Sequence, residues 1–288
     1  MPQISPKTFR VVTGVAFGSL CTIVVSGALV RLTGSGLGCS DWPQCNETKF
    51  VDVSSGHTLI EQANRLFTGV VSASVILAVL LAHLIRPRRK DLVLLAWGLV
   101  IGVLAQVIIG GIVVLTGLNP FANMAHFLVS MVLVACSYTL MRRSDADVST
   151  KFLRDVPQHV LRFVYLLFLM SIVSIVTGTV VTATGPHAGD EDAVRFGFAL
   201  TSVARVHSVS IILTISLIVF IAWQNVKKPE FSSVKEPVQT LLFASAAQAA
   251  VGYTQYFTGV PAALVAAHIV GALFFFVAVL NVMLYPRT

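Results

Sequence analysis

Apolar residues fall along this chain in long runs, and short polar stretches separate them. Each run is long enough to span a hydrocarbon core, which takes about 20 residues per helix. The pattern predicts eight transmembrane helices, over residues 10–30, 62–85, 92–116, 121–141, 160–183, 201–224, 237–258 and 261–284. Because the runs recur from end to end, no separate soluble domain is expected. The first run is full length and lacks a small-residue cleavage site, so it reads as a retained helix and not a signal peptide.

Composition agrees. Hydrophobic residues make up 56% of the 288 positions and charged residues only 11%, against about 25% charged in a soluble domain. Mean hydropathy is +0.84. The net charge of +7 raises the question of nucleic acid, and its placement answers it. Lys7, Arg10, Arg86, Arg88, Arg89, Lys90, Arg142, Arg143, Lys151, Arg154, Arg162, Lys227, Lys228, Lys235 and Arg287 fall on one side of the predicted spans. Those are 15 of the 20 basic residues. Arg31, Lys49, Arg65, Arg195 and Arg205 fall on the other. Cytoplasmic loops concentrate Lys and Arg, so both termini are expected in the cytoplasm, and no nucleic-acid partner is expected.

Cys21 and Cys136 lie inside spans, where an inert buried thiol is the ordinary reading. Cys39 and Cys45 share the first outside loop, with Trp42 and Pro43 between them. An oxidising compartment and this spacing favour a disulfide over two free thiols. Zinc is the weaker reading, because no second ligand pair stands nearby.

The chain also repeats itself. Ser26-Gly27 to Thr33-Gly34 recurs as Thr177-Gly178 to Thr184-Gly185, at an offset of 151. Gln106, Gly110, Thr116-Gly117 and His126 recur as Gln248, Gly252, Thr258-Gly259 and His268, at an offset of 142. A repeat unit of four helices enters from the same side each time, so the axis relating the copies should lie along the membrane normal. The expected architecture is all-α and integral to the membrane, with eight transmembrane helices in two pseudo-symmetric four-helix bundles. Residues 1–141 form the first half, 142–159 a cytoplasmic linker and 160–288 the second half. Small residues such as Gly110-Gly111 and Ala244–Ala250 are expected to allow close helix contacts.

Ionisable groups inside a span are costly and usually functional. His126, His207 and His268 all lie a few residues into even-numbered spans, counted from the outer side, and so share one layer. One such histidine alone is more often a hydrogen-bonded core residue. His207 and His268, in one half at matched depth, instead suit the two axial positions of a six-coordinate haem iron. Arg205 lies near the outer end of span six, within reach of haem propionates. In the first half His126 matches His268, while Asn64 stands where His207 stands in the second. Glu61 lies one turn before Asn64 on the same face, and Arg65 follows. This half reads as a five-coordinate haem site open on one side, which suits chemistry on the haem more than electron carriage. His57 and His187 fall in outside loops, and His83 and His159 near the basic side. No phosphate-binding loop, HExxH or Ser-His-Asp spacing is present.

Gly27-Ala28-Leu29-Val30-Arg31-Leu32-Thr33-Gly34-Ser35-Gly36-Leu37-Gly38-Cys39 with Trp42-Pro43-Gln44-Cys45 resembles the first helix end and first outside loop of the haem A synthases. Ile60-Glu61-Gln62-Ala63-Asn64-Arg65 resembles that family's Glu-x-x-His-Arg motif, and His126, His207 and His268 fall where its other histidines lie. The resemblance covers nearly the whole chain. It implies a haem b between His207 and His268, haem O as substrate in the first half, Glu61 as the essential carboxylate and a Cys39–Cys45 pair. It further implies a membrane oxidoreductase that converts a methyl of haem O to a formyl group, giving haem A for terminal oxidases. A haem O synthase that supplies substrate, an electron donor and the lipid of a bacterial cell membrane would be its partners. Two departures stand out. Asn64 replaces the family's first histidine, as in one bacterial branch, and the loop at Gly185–Asp190 lacks the second cysteine pair of some members. The alternatives are a cytochrome-b-like membrane electron carrier and a transporter built from repeated bundles.

Overall fold

A computed structural model describes residues 4–145 and 156–284. Lys151, Arg154, Arg287 and most of the 142–159 stretch lie outside the described residues. Among the described residues there are eight α-helices and no strand: α1 (Pro6–Leu32), α2 (Gly56–Ala82), α3 (Lys90–Leu115), α4 (Pro120–Arg143), α5 (Gln158–Thr184), α6 (Leu200–Lys227), α7 (Lys235–Phe257) and α8 (Ala262–Leu284). A short 3₁₀ turn, Pro229–Val234, leads into α7.

Local chemistry sets the helix ends. Ser5 caps α1 by accepting from the Thr8 N–H, with Pro6 in the first turn. Ser55 and Thr58 form a reciprocal capping box at the start of α2. That box starts α2 six residues before the apolar run does, so Glu61 and Asn64 sit well inside a formed helix. The Thr-Gly steps of the repeat are helix stops. After α3, Gly117 and Leu118 both adopt positive φ, and Leu118 N donates to Val113 O at 2.8 Å. After α7, Gly259 and Val260 do the same, and Val260 N donates to Gln255 O at 2.8 Å. Each is an αL stop of the kind glycine permits.

The chain forms two compact units, Met1–Ala146 with Gly185–Gly197, and Asp147–Thr184 with Phe198–Thr288. In the first, α1 packs on α2 and α4, and α3 packs on the same two helices. In the second, α5 packs on α6 and α8, and α7 completes the ring. Segment Gly185–Gly197 follows α5 in sequence but packs within the first unit. Gly189 O accepts from Gly36 N at 2.8 Å, and Ala188 and Ala193 are buried with Val113 and Leu118.

In each unit the packed apolar core fills one end. In the first it runs from Phe9 and Leu20 through Val75, Leu92 and Leu99 to Leu140. In the second it gathers Val160, Leu167, Ile218, Leu241 and Val279 around the fully buried Phe231. The opposite end of each ring, where its even-numbered helices begin, carries Glu61, Asn64 and His126 in the first unit and His207 and His268 in the second.

The outer faces are apolar. On α3 the residues Leu94, Trp97, Ile101, Leu104, Ile108, Ile112 and Leu115 are exposed at steps of three and four, a continuous stripe that belongs in lipid and not in water. Seven of the eight helices are long and apolar enough to cross a membrane. The sequence pattern gave eight. α7 has 23 residues, about 34 Å at 1.5 Å per residue. Its Lys235, Glu236, Gln239, Thr240, Gln248, Thr254 and Gln255 lower its apolarity. It remains an integral part of the second ring, packed on α6 and α8. The chain is an all-α, multi-pass membrane protein.

Candidate functional site

Three of the four helices that begin at the site end present a histidine one to two turns inside. His126 is the seventh residue of α4, His207 the eighth of α6 and His268 the seventh of α8. Asn64 is the ninth of α2. Each faces a glycine on the preceding helix. A Cβ built on Gly178 would lie 3.1 Å from His207 Cε1, one on Gly252 would lie 2.8 Å from His268 Cε1, and one on Gly110 would lie 3.4 Å from His126 Cε1. A Cβ on Gly27 would lie 3.9 Å from Asn64 Nδ2. Glycine is needed at the tightest of these because any side chain would press on the ring.

Hydroxyls and amides hold the helices around these side chains. Thr177 Oγ1 lies 3.1 Å from His207 Nδ1 and 3.0 Å from Ser210 Oγ. At the matching step of the first unit, Ser26 Oγ donates to Asn64 Oδ1 at 2.7 Å. Gln106 Nε2 donates to the His126 carbonyl at 2.9 Å, and Gln248 Nε2 to the His268 carbonyl at 2.8 Å. The Nδ1 atoms of His126 and His268 are buried and make no hydrogen bond among the described residues. The His207 and His268 rings face each other, with centroids 6.5 Å apart and planes at 82°. Among the described residues no three His, Cys, Asp or Glu side chains gather as a metal cluster.

Glu61 and Arg65 form a second constellation in the first unit. Glu61 is 5% exposed. Its Oε1 accepts from Arg65 Nε at 2.9 Å and Nη2 at 2.5 Å, and its Oε2 accepts from the Cys39 backbone N–H at 2.6 Å. Arg65 Nη1 donates to the carbonyls of Asp41 and Gln44. Its guanidinium lies 5.4 Å from the centre of the Trp42 ring. Trp42 in turn lies against Gly111 of α3, where any Cβ would strike the indole. Gly111 therefore admits a loop side chain, and not a neighbouring helix as its sequence context suggested. Cys39 and Cys45 are joined as a disulfide.

The other sequence candidates separate from this end or from this face. Arg205 is exposed on α6, two residues before His207 and so on nearly the opposite side of the helix. His57 lies in the first turn of α2, not in a loop, and its Nδ1 is 3.0 Å from Ser35 Oγ. His83 Nε2 accepts from Trp97 at 3.2 Å, and His159 pairs with Glu230 at 2.7 Å. Sequence reasoning did not single out Ser26, Thr177 or the role of Trp42. The signal for the first two was present, since a hydroxyl precedes the repeated glycine in both copies.

The loop from Gly34 to Ser55 is tightly folded. A Cβ on Gly38 would strike the backbone of His57 and Thr58. Gly38→Ala is therefore expected to displace the start of α2 and cost about 2–3 kcal/mol by overpacking. Thermal unfolding in detergent measures it, with Gly18→Ala as control, because a Cβ there meets nothing within 4 Å. Asp52 ties the same loop together, accepting from Asn46 Nδ2 and Ser54 N and pairing with Lys49. The Ser54 side chain and backbone, then Lys49, hold its carboxyl down from 3.8 to about 2. A depressed carboxyl contributes stability above its ordinary value and loses it as the pH falls. Hydrogen exchange at Lys49 and Ser54 should therefore accelerate as pH drops from about 4 to 2, after correction for intrinsic rates. Unchanged protection across that window overturns the assignment.

The family described as cytochrome oxidase assembly protein matches residues 10–189, well over half of the chain. A heme A synthase of Lysinibacillus sphaericus is 34% identical over 133 residues, covering 43% of each chain. One from Geobacillus thermodenitrificans is 32% identical over 142 residues, 46% of this chain and 44% of the relative. One from Listeria welshimeri is 33% identical over 136 residues, with the same coverage. The chain thus spans less than half the length of these curated relatives. On the match over residues 10–189, the chain belongs to the cytochrome oxidase assembly protein family, the family of the haem A synthases.

Proposed function

We propose that this protein is a haem A synthase, which oxidises a ring methyl of haem O to a formyl group. The observation that carries the proposal is the facing pair His207 and His268. With metal–imidazole bonds of about 2 Å, two rings on opposite sides of one iron stand about 6 Å centre to centre. The rings here are 6.5 Å apart, and glycines leave the space beside each. Two imidazoles without a third protein ligand are the donor set for a metal that arrives inside its own macrocycle. Haem b held there supplies one-electron transfer.

The residues of the chain do the rest. Thr177 orients His207 through Nδ1, leaving Nε2 for the iron. His126 would hold the iron of haem O in the first unit. Glu61, fixed by Arg65 and the Cys39 N–H, would take up protons released as the methyl gives four electrons to an external oxidant and gains one oxygen atom. Arg65 is engaged by Glu61 and loop carbonyls, so its part is to hold Glu61. On the charge distribution both termini are cytoplasmic and the haem sites lie toward the outer face. The halves 1–141 and 160–288 then serve as the substrate and haem b halves. A haem O synthase and an electron donor are the implied partners.

Extracted pigment tests this. Purified protein should yield haem b together with haem O or haem A. Haem b alone in fixed proportion would overturn the proposal in favour of an electron carrier, and no haem at all would favour a transporter.

A further inference from the structure

The two units place different side chains in matching sockets. In the second, Gly178 and the Thr177 hydroxyl hold an imidazole, His207. In the first, Gly27 and the Ser26 hydroxyl hold an amide, Asn64. Ser26 donates to Asn64 Oδ1 at 2.7 Å, which fixes the amide with Nδ2 on its other edge. Nδ2 makes no hydrogen bond among the described residues, and it lies 3.9 Å from where a Cβ on Gly27 would stand, as the His207 ring edge lies beside Gly178 in the other unit. An amide is shorter than an imidazole, and Nδ2 carries no lone pair suited to iron. It is a donor aimed into a place where the other unit puts a ligand. Two other imidazoles of the first unit are engaged elsewhere. His57 is tied to Ser35, and His83 lies at the far, packed end of the ring.

We infer that the first unit binds a small neutral exogenous ligand, of the diatomic or water class, on the face of its haem opposite His126, with Asn64 Nδ2 as hydrogen-bond donor to it. The inference rests on the reading that haem O sits in this unit. It assigns Asn64 a binding role and Ser26 the role of setting the amide's orientation. The second unit, closed by two imidazoles, does not take such a ligand.

Carbon monoxide is the probe. Protein purified in detergent, loaded with haem O and reduced, is titrated with CO and followed by optical difference and infrared spectra. Wild type should bind one CO at the haem O site, while haem b stays six-coordinate and inert. Asn64→His should lose CO binding and gain a second six-coordinate low-spin haem. Asn64→Leu should still bind CO, at least fivefold more weakly, and raise the C–O stretching frequency, as expected when a donor is removed. Ser26→Ala should shift the same band and weaken CO binding roughly fivefold, the loss of one ordinary hydrogen bond. Wild type that holds haem O yet is low-spin and inert to CO overturns the inference and leaves the proposed function standing. Unchanged haem O content in His126→Ala overturns the placement of haem O in this unit, and the inference falls with it.

Discussion

Alanine in place of His268 is expected to abolish the six-coordinate haem b spectrum of the purified protein, and His207→Ala to do the same. Among the described residues no third His, Cys, Asp or Glu gathers with this pair to replace either ring. Among the described residues, the hydroxyls bonded to His207 are Thr177 at Nδ1 and Ser210 at the carbonyl, and hydroxyls are poor partners for haem iron. The glycine contacts grade the effect. Gly252→Ala brings a methyl to 2.8 Å from His268 Cε1 and 3.2 Å from Nδ1, so the ring must move. Gly178→Ala, at 3.1 Å from His207 Cε1, should be milder. Thr177→Val should keep the haem but alter its redox potential, with Thr177→Ser restoring it, because Thr177 acts through His207. His126→Ala should leave the haem b spectrum intact. Absorption and low-spin EPR signals read all of these. A His268→Ala protein with an unaltered low-spin spectrum would sink the assignment.

Glu61→Ala is the second large effect, and it should stop haem A formation while haem b remains bound. It should also destabilise the protein, because Arg65 is left largely buried without its carboxylate. Removing one partner of such a pair costs about 3–5 kcal/mol. The side chains are 14% and 7% exposed for Arg65 and Glu61, so the lower part of that range is expected. Glu61→Gln should cost less, since the amide oxygen still accepts from the Cys39 N–H. The double change Glu61→Ala with Arg65→Ala separates chemistry from architecture. It should recover part of the stability in thermal unfolding but none of the haem A. Recovery of both would make Glu61 a structural residue only.

Much of this molecule was legible in its sequence. Long apolar runs located all eight helices, because lipid forces each span to satisfy its own backbone. The exception in degree is α7, whose Gln248, Thr254 and Gln255 make it the least apolar helix while it still closes the second ring. His268 stood out through the repeat, which matches it to His126 at the spacing set by Gln248, Gly252 and Thr258-Gly259, and His207 stood out through its matched depth in the same half. The Glu61 network was not. It depends on a loop whose backbone N–H at Cys39 and carbonyls at Asp41 and Gln44 converge on α2, and backbone groups leave no mark in a residue pattern. The partner of Gly111 was missed for a related reason. A glycine in a span announces a close approach but not what approaches, and here it is Trp42 from the loop.

The glycine-and-hydroxyl socket also bears on how such a molecule diverges after duplication. Its walls, Ser26-Gly27 in one copy and Thr177-Gly178 in the other, accept an amide or an imidazole without rebuilding the helix pair. Asparagine and histidine codons differ by a single base. On the proposed reading, one nucleotide change in either copy would exchange a closed haem site for an open one while the glycine and hydroxyl of the socket stay in place.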